Sequence, residues 1–388
     1  MRTDVGVMGA WALAGDYVDE VVLGTFRDVH GAFSTRAFAL VNHATRGSAA
    51  VPQALHDGFF QTMYAGISTG VKAASTGLRA AEQRGIGPRL EAKPAGRQVL
   101  AVVNGLIGDR LSRERPEFAI PMAVRLHGSD VPRDHANLAA AYPRATGDVV
   151  VFLHGLSEND DWWNRRREEL GGNYGSRLDD ETSWTPVYLR ANTGLPLAEN
   201  GVALAGLLDD LVAGWPTEVR RIALVGHSMG GLIIRAACAV VTDAENDWAL
   251  LVTDVITLGS PHLGAPLERT VYFGARALGI LPESAPFARI LEYRSVGILN
   301  LRNGLAADLQ HLPHARYRLV AATVTDSHRH PVGAAFGDLF VRYPSAVGRP
   351  RRGPEMFPDA DVLHVPGTDH FGLLNHPDVY AAMRTWLG

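Results

Sequence analysis

Cysteine is nearly absent from this chain: Cys238 is the single one in 388 residues. A lone thiol cannot close an intramolecular disulfide, so a disulfide scaffold is excluded and nothing points to an oxidising compartment. Lysine is almost as scarce, confined to Lys72 and Lys93, which leaves arginine to carry the positive charge. No long basic run occurs, and the formal net charge is −4 with both signs dispersed, which argues against a nucleic-acid partner. The short cluster of Arg349, Arg351 and Arg352 sits among Pro and Gly and reads as a solvated loop. No stretch reaches the roughly 20 apolar residues that a membrane span requires. Val5 to Ala14 is apolar but short, broken by glycine and preceded by little positive charge, a poor match to a signal peptide. The expectation is a cytoplasmic protein without a transmembrane segment. Histidines are scattered, and neither H-E-x-x-H nor paired-cysteine spacing occurs, so no metal and no cofactor are expected.

What is present points to a large globular core. Hydrophobic residues make up 46% of the chain, too many for global disorder. Residues 1–95 read as an N-terminal helical extension. Within it Leu55, Phe59, Met63, Ile67, Val71, Ala74, Leu78 and Ala81 recur at three- and four-residue spacing, an amphipathic stripe interrupted by Gly66, Gly70 and Gly77. The stripe reads as a helix packed on the body; its few charges do not form the basic face of a membrane-surface helix.

From residue 96 the pattern changes to strands. Val99–Val103 and Ala119–Leu126 read as two strands joined by a turn. They are followed by Val149–Leu153, Thr185–Leu189, Ile222–Val225, Val255–Leu258, Tyr317–Ala322 and Asp361–Val365. The later runs are continuously apolar, as expected of strands covered on both faces. Helical segments such as Asn200–Ala213 and Pro377–Leu387 separate several of them. Strands alternating with helices predict an α/β fold, a mostly parallel eight-stranded sheet flanked by helices, with an antiparallel edge. The stretch from about 264 to 313 is too long for an ordinary connection. It carries Val271, Tyr272, Phe273, Leu278, Ile280, Leu281, Phe287 and Ile290, and is expected to form a lid-like insertion. Residues 344–360 form a proline-rich loop.

The motif with most chemical content is Gly226-His227-Ser228-Met229-Gly230. It lies between the apolar run Arg221–Val225 and the apolar helical segment Gly231–Ala237. A strand, a tight turn and a helix in that order expose a serine hydroxyl at the top of a sheet. Gly226 and Gly230 fit a turn where side chains would collide with backbone. A serine hydroxyl needs an adjacent base, and the base needs a group to orient it. With this elbow the acid and then the histidine follow the serine along the chain. His370 leaves the last strand in Val365-Pro366-Gly367-Thr368-Asp369-His370-Phe371 and is the candidate base. His364 falls inside the strand, and His376 starts the final helix. The acid is expected after the seventh strand, where position slightly favours Asp326 and Asp338 is the other candidate. Oxyanion donors are expected from the amides of Met229, at the start of the helix, and Leu156, in His154-Gly155-Leu156 after the third strand.

Phe152-Leu153-His154-Gly155-Leu156, Gly226-His227-Ser228-Met229-Gly230-Gly231 and Leu258-Gly259-Ser260-Pro261-His262-Leu263-Gly264-Ala265-Pro266 together resemble α/β-hydrolases of the lipase/esterase type. The resemblance covers residues 148–388. In that group the acid lies in a D-G-x-V-P-x-x-S-A pattern. Asp338-Leu339-Phe340-Val341-Arg342-Tyr343-Pro344-Ser345-Ala346 is similar to it, without the glycine and with the proline shifted. The resemblance therefore favours Asp338 and implies a triad of Ser228, Asp338 and His370. His227, Ser260 and His262 are expected to support the site structurally.

The resemblance implies a serine hydrolase of carboxylic esters with hydrophobic acyl chains, working through an acyl-enzyme. Its partner would be a small-molecule ester or lipid, which leaves room for transient contact with a membrane surface. An acyltransferase or thioesterase would use the same three residues. A non-catalytic binding protein on the same scaffold would usually lack one of them.

Overall fold

Eight strands form one sheet in the order β2-β1-β4-β3-β5-β6-β7-β8. They are β1 (Ala123–Leu126), β2 (Ser129–Val131), β3 (Asp148–Leu153), β4 (Trp184–Arg190), β5 (Arg221–His227), β6 (Val252–Leu258), β7 (Arg316–Thr323) and β8 (Asp361–Pro366). β1 runs antiparallel to β2 and β4; all other pairings are parallel. The computed structural model describes residues 90–168, 171–240, 247–265, 296–301 and 311–388, with scattered positions before residue 85. The chain divides into two compact units, residues 1–96 with 269–294, and residues 97–268 with 295–388. The sheet belongs to the second. The Leu55–Ala81 stripe and most of the 264–313 insertion lie outside the described residues.

Successive residues of the central strands feed two separate cores, as the two-residue period of a strand requires. Val149, Val151 and Leu153 of β3, with Ile222 and Leu224 of β5, pack with residues of α4 (Leu197–Gly214) and α5 (Met229–Ala239). Val150 and Phe152, with Ala223 and Val225, pack with Tyr174 and Leu178 of α3 (Tyr174–Glu181). Val379, Tyr380, Met383 and Leu387 of α6 (Pro377–Leu387) join the same core. Burial on both faces explains why β3, β5, β6 and β7 read as unbroken apolar runs. At the sheet's lower end Asp148 is buried against Arg221, at 2.8 Å.

The antiparallel edge departs from the expectation. Val99–Val103 is not a strand; it lies in α1 (Pro94–Glu114). Leu100, Ala101, Asn104, Gly108 and Leu111 form the buried face, while Val99, Val102 and Leu106 are exposed on the other. Apolar side chains on both sides of the helix hid its period, and a short apolar run does not distinguish strand from helix. Asn104 holds the helix to the next segment: its amide donates to the Phe118 carbonyl, and its oxygen accepts from the Ile120 amide, both at 2.9 Å. The hairpin partner of β1 is instead Ser129–Val131. His127 (φ 50°) and Gly128 (φ 77°) make the connecting turn, two consecutive positive φ angles as in the turns whose twist suits a hairpin. α2 (His135–Ala141) follows, with Asp134 capping it through the Asn137 amide.

Candidate active site

Ser228 stands between the end of β5 and the start of α5, with φ 52° and ψ −120°. A non-glycine residue there is strained by about 1–3 kcal/mol and persists only when its surroundings hold it. Its amide donates to the Leu258 carbonyl on β6 at 2.8 Å, and its carbonyl accepts from the Gly231 amide at 3.2 Å. The glycines around it are required by contact. A Cβ at Gly226 would collide with the Gly231 nitrogen, and one at Gly230 with the Leu153 carbonyl oxygen. The elbow is thus wedged against the end of β3 and the chain leaving it.

His370 follows β8 at the start of a short 3-10 turn, capped by the Asp369 side chain on the Gly372 amide. Its Nδ1 lies 2.7 Å from Oδ2 of Asp338. Asp338 is buried in a tight loop after β7. Its Oδ1 accepts from the amides of Phe340 (3.0 Å) and Val341 (2.7 Å). The backbone adds a further link, His370 N–H to the Asp338 carbonyl at 3.0 Å. Of the two candidate acids, Asp338 is the one that reaches His370; Asp326 is exposed. A Cβ placed on Gly259, next to the Leu258 carbonyl that holds Ser228, would lie 3.2 Å from both Asp338 Oδ2 and His370 Cε1. The serine's support and the Asp–His pair therefore share one small volume.

Leu339 occupies the place of the glycine in the resembled pattern, and it has φ 86°, a conformation that favours glycine. Ser345, from the same pattern, ties this loop to the segment after β6. Its hydroxyl donates to the Gly264 carbonyl (2.8 Å) and accepts from the Leu263 amide (3.1 Å). Phe340 and Phe371 flank the imidazole at ring distances of 5.3 and 5.5 Å, and Trp162 lies against Phe371.

The loop after β3 approaches from the other side. A Cβ on Gly155 would lie 2.9 Å from that of Ser228. The amides on either side of Leu156 are committed, Gly155 to Glu158 at 2.7 Å and Ser157 to the Thr193 hydroxyl at 3.1 Å. Met229, beyond Ser228, opens α5, whose first amides point toward its N-terminus. His154 is buried with its Nε2 accepting from the Ala191 amide, so its hydrogen sits on Nδ1 toward the Gly155 carbonyl. Burial keeps it below its ordinary pKa and neutral.

The residue pattern did not single out Glu158. It is buried, and its Oε2 accepts both from the Gly155 amide and from His227 Nδ1, the latter at 2.9 Å. His227 Nε2 faces the His370 carbonyl at 3.2 Å. Burial works against charge on both side chains. Each nevertheless favours charge in the other, so Glu158 falls below and His227 rises above its usual range. An acidic residue three positions after the His154-Gly155 pair was the available signal. Ser260 and His262 pack beneath the elbow: a Cβ on Gly231 would meet the Ser260 hydroxyl, and His262 contacts Thr257 and the Phe357 ring. His364 bonds Thr323 within the sheet, and His376 caps α6. Cys238 is buried, and burial pushes its thiol up to about 12. No group of three metal-ligating side chains occurs among the described residues.

Residues 145–284 match the model of a family described as "putative serine esterase". Over 140 residues the chain is 29% identical to a triacylglycerol lipase of Burkholderia plantarii, covering 34% of each. Over 131 residues it is 28% identical to a triacylglycerol lipase of Pseudarthrobacter phenanthrenivorans, covering 31% of this chain and 35% of that one. The chain thus spans about a third of the length of these relatives. Among solved structures it is similar to the mature Bacillus licheniformis lipase BlEst2, with TM-score 0.45 and 19% identity, covering 63% of this chain and 93% of that one. The product of the Listeria innocua gene lin2722 gives TM-score 0.41 and 13% identity, covering 62% and 93%.

Proposed function

We propose that this chain, a lipase/esterase-like α/β-hydrolase, cleaves carboxylic esters of hydrophobic acyl chains through an acyl-enzyme on Ser228. The residues assigned to the chemistry all fall within 96–388, taken as the catalytic domain. The Ser228 hydroxyl attacks the acyl carbon while His370 Nε2 takes its proton. The carbonyl oxygen becomes an oxyanion facing the Leu156 and Met229 amides. Collapse breaks the bond to the alkoxy oxygen, and His370 returns the proton to the leaving alcohol. A water molecule, deprotonated by the same imidazole, then attacks the acyl-enzyme and releases the acid. Asp338 fixes the ring with Nδ1–H toward itself and Nε2 toward the serine, and stabilises the imidazolium as it forms.

The observation that carries this reading is the buried 2.7 Å contact of Asp338 and His370, whose carbonyl is met by His227, the residue before a serine held at positive φ. The preference for hydrophobic acyl groups rests on the apolar surface around the imidazole. Phe340, Phe371 and Trp162 lie together there, and Leu339 and Phe340 are exposed. A series of p-nitrophenyl esters of increasing chain length, run on the wild type and Ser228→Ala together, tests both parts. Hydrolysis by the wild type alone, rising toward medium or long chains, is the expected result. Activity surviving in Ser228→Ala removes the nucleophile assignment; a flat or falling series removes the acyl preference.

A further inference from the structure

The assigned triad leaves one buried titratable pair unused. Glu158 and His227 are shut away from solvent and lie where the three working segments meet. A continuous path runs from the Gly155 amide to Glu158 Oε2 (2.7 Å), on to His227 Nδ1 (2.9 Å), and from His227 Nε2 to the His370 carbonyl (3.2 Å). Gly155 adjoins Leu156, the assigned oxyanion donor. His227 adjoins Ser228, and His370 is the assigned base. Resting on those assignments, we propose that Glu158 and His227 are positioning residues that hold the oxyanion loop and the histidine loop in register through a proton retained between them.

The proton follows from donor and acceptor counting. The His370 carbonyl can only accept, so His227 Nε2 carries a hydrogen. Glu158 Oε2 already accepts from Gly155. Whether the remaining proton sits on Nδ1 or on the carboxyl, the pair holds one between its two atoms. Without it, two acceptors would face each other in a buried site, a costly arrangement. The other groups facing the pair are His370 and Asp338 beyond the imidazole side, and His154 beside Glu158. The rings of Trp163 and Phe371 close the rest, at 6.5 and 6.2 Å from the His227 ring.

A buried ion pair is weak evidence for stability, because apolar side chains of equal volume often serve as well. Its placement is what gives it a task. It links the Gly155 amide to the His370 carbonyl, and so spans the amide side and the imidazole side of the reacting carbon. Misplacement of catalytic groups by about 1 Å can cost on the order of a hundredfold in rate.

Glu158→Gln tests this. The amide oxygen still accepts from Gly155 and from a neutral His227 Nδ1–H, but Nε2 then faces the His370 carbonyl without a hydrogen. Fluorophosphonate titration counts competent Ser228 sites, so kcat is expressed per labelled serine. The expected result is a fall in kcat per site on the order of ten- to a hundredfold, with KM changed by less than about twofold. A merely structural role lowers the number of sites and the Tm but leaves kcat per site near the wild-type value, and that outcome overturns the proposal. A second measurement needs no variant: long-range proton–nitrogen NMR of the wild type at neutral pH should show a hydrogen on His227 Nε2, and a bare Nε2 overturns it. Wild-type protein that no fluorophosphonate labels removes the serine assignment and this proposal together. A labelled wild type with an unaffected Glu158→Gln removes this proposal alone.

Discussion

Asp338 Oδ2 stands 2.7 Å from His370 Nδ1, with both side chains sealed from solvent. The other carboxylate oxygen is taken by the Phe340 and Val341 amides, so the group cannot turn away from the ring. Asp338→Asn preserves this shape, but its oxygen is held by the Phe340 and Val341 amides, so its NH2 faces Nδ1 and favours the wrong tautomer. Its kcat on a p-nitrophenyl ester should fall by roughly 10³–10⁴-fold with the fold intact by circular dichroism. Asp326→Asn should stay within about twofold of the wild type, as exposed substitutions remote from the chemistry usually do. The reverse ranking would move the acid to Asp326.

Leu339 pays for the missing glycine of the resembled pattern. It holds φ 86° and is 56% exposed, so its side chain returns little packing for the strain. A side chain in the left-handed region costs about 1–2 kcal/mol, and glycine's extra freedom in the unfolded chain gives back part of that. Leu339→Gly should therefore stabilise the protein by roughly 0.5–1 kcal/mol in urea unfolding. A loss of stability would mean that the Leu339 side chain makes a contact worth more than its strain.

Gly155 leaves no room for a methyl group: a Cβ there would come within 2.9 Å of the Ser228 Cβ and 3.1 Å of the Glu158 carboxyl. Gly155→Ala must push the loop after β3 away from the serine and carry the Leu156 amide with it. Losing one oxyanion donor costs about 2.7–4 kcal/mol, or roughly 10²–10³ in kcat. Steady-state kinetics should show that loss in kcat, with fluorophosphonate titration confirming folded protein. An unchanged kcat would place the oxyanion donors elsewhere.

The Glu158–His227 pair gives stability a defined pH window. Glu158 is held below its usual range, so its contribution is present above the free carboxylate value of about 4.3 and is lost as pH falls through the folded value. His227 is held above its usual range, so its contribution is complete below about 6.5 and is lost as pH rises through the folded value. The Tm difference between the wild type and Glu158→Gln should be greatest between about pH 4.3 and 6.5 and shrink on the alkaline side. A difference that grows toward alkaline pH contradicts the retained proton.

Much of this architecture was legible in the residue order because local pattern and environment agree. β3, β5, β6 and β7 are covered on both faces and read as apolar runs; Gly226 and Gly230 mark an elbow that only glycine can make. Asp338 was harder to see. Position along the chain pointed to Asp326, and the resemblance of Asp338–Ala346 to a longer pattern pointed the other way. The structure explains that pattern through Ser345, which binds Leu263 and Gly264. Two features could not be read locally. Val99–Val103 looks like a strand because α1 carries apolar residues on both faces, and Glu158 acquires its meaning only from His227, which folding brings to it from β5.

Covalent labelling reads the reactivity of Ser228 itself. The wild type is incubated with a fluorophosphonate, digested, and the adduct located by mass spectrometry, with Ser228→Ala and His370→Ala treated alongside. One adduct per chain is expected, on Ser228, absent in Ser228→Ala and strongly slowed in His370→Ala. An adduct on another residue, or a wild type that does not react at all, contradicts the assignment of Ser228 as nucleophile.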